Sequence, residues 1–172
     1  MAEHLKGKRC YLSGPIQYDT TNLNWRIEPT KTLTEEFGID VFDPFADPKQ
    51  QWVPKLEAAR KQEDFEEIKR IAKKFVRKDL AEVDHSHMLI AYLPLKVPTT
   101  GTHHEIINAN DRKKPTFLVC NEGKASIPVW YFGFIRPEFM FGSWDELYNY
   151  LREINAGHHT DNDRLARIYD LI

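Results

Sequence analysis

Short apolar runs alternate with longer polar segments along the chain, and this alternation predicts its secondary structure. The apolar runs are RCYLSGP (9–15), IDVFDP (39–44), HMLIAYL (87–93) and PTFLVC (115–120). Gly-Pro ends the first run and a proline ends the second, which is typical of a strand that gives way to a loop. The third run does not alternate apolar and polar residues, as expected of a strand covered on both faces. The pattern predicts four strands, and EFMFGS (138–143) predicts a short fifth.

Helices are predicted in the polar segments between and after these runs. They are expected at about 25–37, closed by Gly38, across the charged stretch 55–83, at about 102–113, and over 143–155 with Ser143 as N-cap. The apolar residues of the charged stretch are spaced to form one helical stripe. Residues 45–54 are expected to form a long loop, and the tail, 158–172, has weak helical character.

Strands that alternate with helices predict an α/β fold. We expect one flavodoxin- or Rossmann-like parallel sheet of about five strands with helices on both faces, in a single domain over residues 1–172. Ligands of such sheets bind beyond the carboxyl ends of the strands. The segments SGPI, DPF and TTGTHHEIINAN follow the first, second and third strands, so all three are expected on one rim.

Composition and charge exclude several classes of partner. The net charge is −2, and no basic surface indicates nucleic acid. No apolar run approaches the ~18 residues of a membrane span, and MAEHLKGKRC lacks the apolar core of a secretory signal. A cytoplasmic protein is expected, with Cys10 and Cys120 as buried thiols because both lie in strand-like apolar runs.

No metal or cofactor is expected. The seven histidines include the pairs His85/His87, His103/His104 and His158/His159, but no cysteine or carboxylate completes a recognisable ligand set around them. Neither a G-x-G-x-x-G nor a G-x-x-x-x-G-K-[ST] motif is present, so dinucleotide and NTPase interpretations lose their main support.

The predicted rim carries residues with useful chemistry, each with an ordinary alternative. Glu105 is expected in the first turn of its helix, where the dipole favours a charged carboxylate suited to a nucleophile. Asp79 is a second carboxylate, and two such groups can divide covalent and acid/base roles, as in retaining glycoside hydrolysis. The alternatives are a dipole-compensating surface Glu and a surface Asp near a helix end. The Gly14-Pro15 turn leaves room for a ligand, or simply ends a strand.

Four motifs in order resemble the nucleoside 2-deoxyribosyltransferase family, including its relatives that hydrolyse nucleoside 5′-monophosphates. They are YLSGPI at the first strand, VFDPF at the second, KDLAEVD before the third and TGTHHEIINA after it. The resemblance covers about residues 8–120. It implies an enzyme of N-glycosidic bonds whose partner is a small nucleoside or nucleotide, and a homo-oligomer whose pockets are completed by a neighbouring subunit.

The resemblance assigns roles to individual residues. Glu105 matches the nucleophile that attacks the anomeric carbon as the base departs. Asp79 matches the acid that handles the proton or hydrogen-bonds the base, and Tyr11 matches the tyrosine that orients the glutamate. The loop at the end of the first strand is expected to bind substrate, through Ser13, Gly14, Pro15 and Ile16.

For two further positions, the resemblance implies a substrate-binding role less directly. Asp43, with Pro44, occupies the family's rim position after the second strand. Arg26, in the Trp25-Arg26 pair that opens the first helix, could reach a substrate phosphate. The alternative for Arg26 is an exposed helical arginine.

Thr99 bears on the substrate. Six positions before the nucleophile, family transferases of free nucleosides carry an Asp, and the monophosphate hydrolases carry a Ser; here Thr99 stands there, with Gly101 two residues later. A carboxylate would repel a 5′-phosphate, whereas a hydroxyl and backbone amides can donate hydrogen bonds to it. Thr99 therefore favours a nucleoside 5′-monophosphate. Thr102 is the expected helix N-cap, and His103 and His104 have no required role.

Several alternatives stay open. The sequence does not decide between water and a second base as acceptor, between ribose and deoxyribose, or among the bases. A nucleotide-sensing module without turnover is a second hypothesis, and a glycohydrolase of a nicotinamide dinucleotide is a third. Segment 45–77 could form a lid or a packing helix. The aromatic residues between 130 and 141 could line an interface or fill the core.

Overall fold

Five parallel strands form the centre of the protein. The computed structural model describes residues 3–16, 23–46 and 51–172. The strands are β1 Arg9–Ser13, β2 Asp40–Phe42, β3 Met88–Tyr92, β4 Thr116–Val119 and β5 Met140–Phe141. They lie in the order β2-β1-β3-β4-β5, and each neighbouring pair is parallel. This is the doubly wound, flavodoxin-like order, and it confirms the predicted α/β fold.

Helices cover both faces of the sheet. They are α1 Ile27–Phe37, α2 Val53–Lys61, α3 Phe65–His85, α4 Thr100–Asp111, α5 Val129–Phe132 and α6 Trp144–Asn155. Helices α1 and α6 contact each other, whereas α3 packs against α4 and both contact β1. No helix in the described ranges is long and apolar enough to cross a membrane.

The helix ends show how local sequence sets the elements. Helix α1 ends at Gly38, which is left-handed with φ 65° and donates to carbonyls of the last turn. Ser143 caps α6 by accepting a hydrogen bond from Glu146 N. Both predicted ends are confirmed.

The charged stretch predicted as one helix is two. Helix α2 ends at Lys61, Glu63 has a positive φ of 53°, and the Asp64 side chain caps α3 by accepting from Glu67 N. The turn was missed because a glutamate rarely takes this backbone conformation. The predicted loop at 45–54 is also shortened, since α2 begins at Val53; its residues 47–50 lie outside the described ranges.

The predicted start of α4 is wrong by two residues. The N-cap is Thr99, and the helix begins at Thr100, so Thr102 is a buried helical residue and not the cap. Glu105 consequently lies in the second turn of α4 and not in the first.

The core follows the apolar pattern of the sequence. Every residue of β3 is buried, as expected of a run without alternation. Cys10 and Cys120 are buried free thiols, as predicted, and burial raises the pKa of Cys10 to about 12. The aromatic segment divides between core and surface: Tyr131, Phe139 and Phe141 are buried, whereas Trp130 is 80% exposed and Phe132 is exposed.

Candidate active site

Glu105 is held at the carboxyl end of β1 by two hydroxyl groups. The Tyr11 hydroxyl donates to Glu105 Oε1 over 2.8 Å, and the Ser13 hydroxyl donates to Oε2. Tyr11 and Ser13 are two residues apart on one strand, so their side chains point to the same face, where α4 packs. Glu105 itself is 8% exposed. Both oxygens of a buried carboxylate are therefore fixed by side chains from a single strand.

The position of Glu105 differs from the first-turn position in which the helix dipole was expected to favour its charged form. The helix dipole acts mainly within the first turn, and Glu105 lies in the second. Burial alone disfavours an ionised carboxylate, whereas hydrogen bonds donated to it favour the charged form. The Tyr11 and Ser13 hydroxyls donate such hydrogen bonds to Glu105. Ser13, which is expected to bind substrate, contacts Glu105 in the structure.

Tyr11 is hydrogen-bonded to Glu105 and is influenced by the charge of Asp79. Burial raises the pKa of the Tyr11 hydroxyl far above its ordinary value, and the nearby charges of Glu105 and Asp79 raise it further. The hydroxyl therefore remains protonated and is available as a donor. Asp79 is half-buried on α3 and lies near enough to Tyr11 for its charge to raise the pKa of the Tyr11 hydroxyl. The structure thus gathers Tyr11, Asp79 and Glu105 at one place, from β1, α3 and α4.

Arg26 is neither an exposed helical arginine nor free to reach outward. It is 2% exposed; Nη1 donates to the Leu12 carbonyl at 2.9 Å and to Asp43 Oδ1 at 2.8 Å, and Nη2 donates to the Gly14 carbonyl at 2.9 Å. Burial lowers the pKa of the guanidinium, and the Asp43 carboxylate opposes that shift. These contacts give Arg26 a structural role and leave phosphate binding by it without support.

Asp43 completes this buried contact. The same oxygen that pairs with Arg26 accepts a hydrogen bond from Phe45 N at 2.9 Å, so the carboxylate also shapes the turn after β2. Asp43 thus lies on the predicted rim, where its side chain holds the backbone of the turn that follows β2.

The space beside Gly14 is filled by the protein itself. A Cβ on Gly14 would come within 2.3 Å of Trp25 Cζ2, so the indole fills the side of the glycine where a side chain would lie. Trp25 also packs against Tyr92, with ring centroids 4.9 Å apart. Pro15 is buried and Ile16 is half-buried, next to residues 17–22, which lie outside the described ranges.

Replacing Gly14 by Ala is expected to destabilise the protein by about 1–3 kcal/mol, because the rigid indole of Trp25 must move. The measurement is the free energy of unfolding from denaturant titration. Gly101→Ala is the matched control, since a Cβ there meets nothing within 4 Å and the residue is helical. We expect that control to be neutral or stabilising by up to ~1 kcal/mol. Equal losses in the two variants would contradict the proposed role of the Trp25 contact.

The start of α4 has an unusual cap. Thr99 is 8% exposed, yet its side chain makes no capping hydrogen bond to the helix amides. Its Oγ1 instead lies 3.5 Å from His103 Nε2, one turn along the helix, and His103 Nδ1 is hydrogen-bonded to the Tyr131 hydroxyl. Gly101 is exposed, and a Cβ there would meet nothing within 4 Å outside its own helix backbone. The sequence interpretation did not identify these contacts of His103 and Tyr131, although the four-residue spacing of Thr99 and His103 on a helix is compatible with the first of them.

The described residues contain no group of three or more His, Cys, Asp or Glu side chains placed to hold a metal ion.

The fold and this cluster define a doubly wound α/β protein with a buried acidic site at the carboxyl ends of its strands. The family model of the nucleoside 2-deoxyribosyltransferases matches residues 10–162, and the chain belongs to this family, which acts on nucleosides and nucleotides. A solved structure described as the CMP N-glycosidase BcmB of Clostridium botulinum is similar: it is 19% identical, with 87% of this chain and 99% of that chain covered and a TM-score of 0.47. No curated protein matches the sequence.

Proposed function

We propose that this protein cleaves the N-glycosidic bond of nucleoside 5′-monophosphates or 2′-deoxynucleosides through a covalent glycosyl–Glu105 intermediate. The observation that carries the proposal is the double hydrogen bond from Tyr11 and Ser13 to the buried Glu105 carboxylate, together with the charge of Asp79 near Tyr11. A nucleophile must be held in one orientation to attack in line, and fixed donors at both oxygens supply that orientation.

The first chemical step forms a glycosyl ester. A Glu105 oxygen attacks C1′ of the sugar, the C1′–N bond breaks, and its electron pair leaves with the base. Asp79, when protonated, gives its proton to the departing base nitrogen. The Tyr11 hydroxyl, which stays protonated, keeps the attacking group aligned.

The second step resolves the ester. Water attacks C1′ and Asp79, now a carboxylate, takes its proton, while the C1′–O bond to Glu105 breaks and returns the carboxylate. The Tyr11 and Ser13 hydrogen bonds stabilise that leaving carboxylate. A second base in place of water would make the protein a transferase; its nitrogen would attack C1′ and its proton would pass to Asp79.

A 5′-phosphate suits the start of α4. The amides there lack a side-chain cap from Thr99, and the space where a Cβ of Gly101 would lie is open. Unpaired amides at a helix N-terminus favour anions, and the resemblance already associates a hydroxyl at position 99 with monophosphate substrates. This combination favours a nucleoside 5′-monophosphate over the free nucleoside.

Free base release is the test. Ribo- and deoxyribonucleoside 5′-monophosphates, their matched nucleosides and a nicotinamide dinucleotide are incubated with the protein, with and without an acceptor base, and the products are separated by chromatography. We expect base release from a 5′-monophosphate to exceed release from its matched nucleoside. New nucleotide formed only with the acceptor base would identify a transferase.

A nucleotide-sensing module without turnover makes the opposite prediction. Nucleotides would raise the melting temperature while no base is released from any of them. Such a result would contradict the enzymatic proposal directly.

The homo-oligomer implied by the resemblance stays a prediction. Helix α5 offers exposed apolar side chains for such a contact, with Val129 85% and Trp130 80% exposed.

A further inference from the structure

A chain of side chains runs from the start of α4 to α5. The Thr99 hydroxyl contacts His103 Nε2, and His103 Nδ1 contacts the Tyr131 hydroxyl. A neutral histidine has one donor and one acceptor nitrogen, so two arrangements are possible. In the first, Tyr131 donates to Nδ1 and Nε2–H donates to Thr99. In the second, Nδ1–H donates to Tyr131 and Thr99 donates to Nε2.

The surroundings of Tyr131 favour the first arrangement. Tyr131 is 5% exposed, and within the described residues its hydroxyl has no hydrogen-bond partner other than His103. In the second arrangement its buried hydroxyl hydrogen would therefore lack an acceptor, which is costly. Burial raises the pKa of Tyr131 to about 12 and lowers the pKa of His103, so the pair consists of a phenol and a neutral imidazole at neutral pH.

The first arrangement has a consequence for Thr99. Its oxygen already accepts from His103 Nε2–H, so its own hydrogen is not used by the histidine. Nor does the hydroxyl cap the helix. The Thr99 hydroxyl is then free to donate to an acceptor that lies at the start of α4.

We propose that Tyr131 and His103 are positioning residues that hold the Thr99 hydroxyl as a hydrogen-bond donor for the 5′-phosphate of the substrate. This inference rests on the proposed function and deepens it, because it names how the phosphate is selected. A hydrogen bond to a charged phosphate oxygen is about twice as strong as one to a neutral hydroxyl. A fixed donor at this point therefore favours the monophosphate over the free nucleoside.

Tyr131→Phe tests the proposal because it removes the hydroxyl and keeps the ring. Without the Tyr131 donor, His103 can adopt the tautomer whose Nε2 accepts from Thr99, and the Thr99 hydrogen is withdrawn from the ligand. We expect kcat/KM for the 5′-monophosphate to fall about 3- to 10-fold, mainly through KM, whereas kcat/KM for the matched nucleoside stays constant. The same change is expected in the ratio of their dissociation constants, measured by calorimetry.

The route through Thr99 is tested by combining variants. In a Thr99→Val background the Tyr131→Phe change should have no further effect on the monophosphate-to-nucleoside ratio, whereas in a Thr99→Ser background it should keep its effect. If Tyr131 had a merely structural role, Tyr131→Phe would lower kcat/KM for the monophosphate and for the nucleoside by the same factor in every background. His103→Phe is the second variant, and it should reproduce the shift of Tyr131→Phe.

The outcomes separate this inference from the proposed function. An unchanged ratio in Tyr131→Phe, with base still released, overturns the inference alone. A shifted dissociation-constant ratio without base release from the wild-type protein supports the inference and contradicts the enzymatic proposal. A wild-type protein that binds the nucleoside as tightly as its monophosphate overturns the inference.

Discussion

Replacing Glu105 by Gln is expected to reduce base release by a factor on the order of 10³ or more, because the amide cannot form the glycosyl ester. Fold and binding should survive, since a glutamine oxygen still accepts from Tyr11, and the Ser13 hydroxyl can rotate to meet the amide. The measurement is the initial rate of base release with the best 5′-monophosphate, together with its dissociation constant.

Two controls sharpen this experiment. Glu35→Gln changes an exposed glutamate on α1 and should leave the rate unchanged. Glu105→Ala in the presence of azide should form a glycosyl azide, because a small anion can attack C1′ from the vacated space. Base release in Glu105→Gln at the wild-type rate would remove Glu105 from the mechanism.

Asp79→Asn is expected to lower the rate of base release about 10²- to 10⁴-fold, the usual range for loss of a general acid. The loss should be largest for bases that need a proton to leave and smallest for bases with a low pKa at the departing nitrogen. A series of nucleoside 5′-monophosphates that differ only in the base provides the measurement, as the slope of log rate against that pKa.

The slope of log rate against the pKa of the departing nitrogen distinguishes proton transfer by Asp79 from a purely structural role of this residue. A steeper slope in Asp79→Asn than in the wild type is the expected result. Parallel slopes, with a uniform loss for every base, would contradict proton donation by Asp79. Asp111→Asn, at the exposed end of α4, is the matched control and should change neither slope nor rate.

The strands were predictable because residues that are buried in the sheet form short, continuously apolar runs in the sequence. The run at β3 has no polar alternation, and all five of its residues are buried. The break between α2 and α3 was not predictable from the same signals, because it depends on a positive φ at Glu63 and a cap from Asp64. Helix-favouring residues continue on both sides of that turn, so periodicity does not reveal it.

The candidate site also has features that the sequence predicts and features that it does not. The order of the motifs placed Tyr11, Asp79 and Glu105 on one rim, and the structure brings the three together. The Ser13 contact joins residues 92 positions apart, and no local pattern contains it. Arg26 was missed as a buried residue because arginine is rarely buried, and its partners come from two separate segments.

The buried Arg26 has a consequence for the evolution and redesign of the segments that follow β1 and β2. Since one guanidinium ties the backbone after β1 to the turn after β2, neither segment can be exchanged alone without leaving an uncompensated charge in the interior. We therefore expect Arg26 and Asp43 to covary among homologues. Loop grafts intended to change base preference should transfer both residues together.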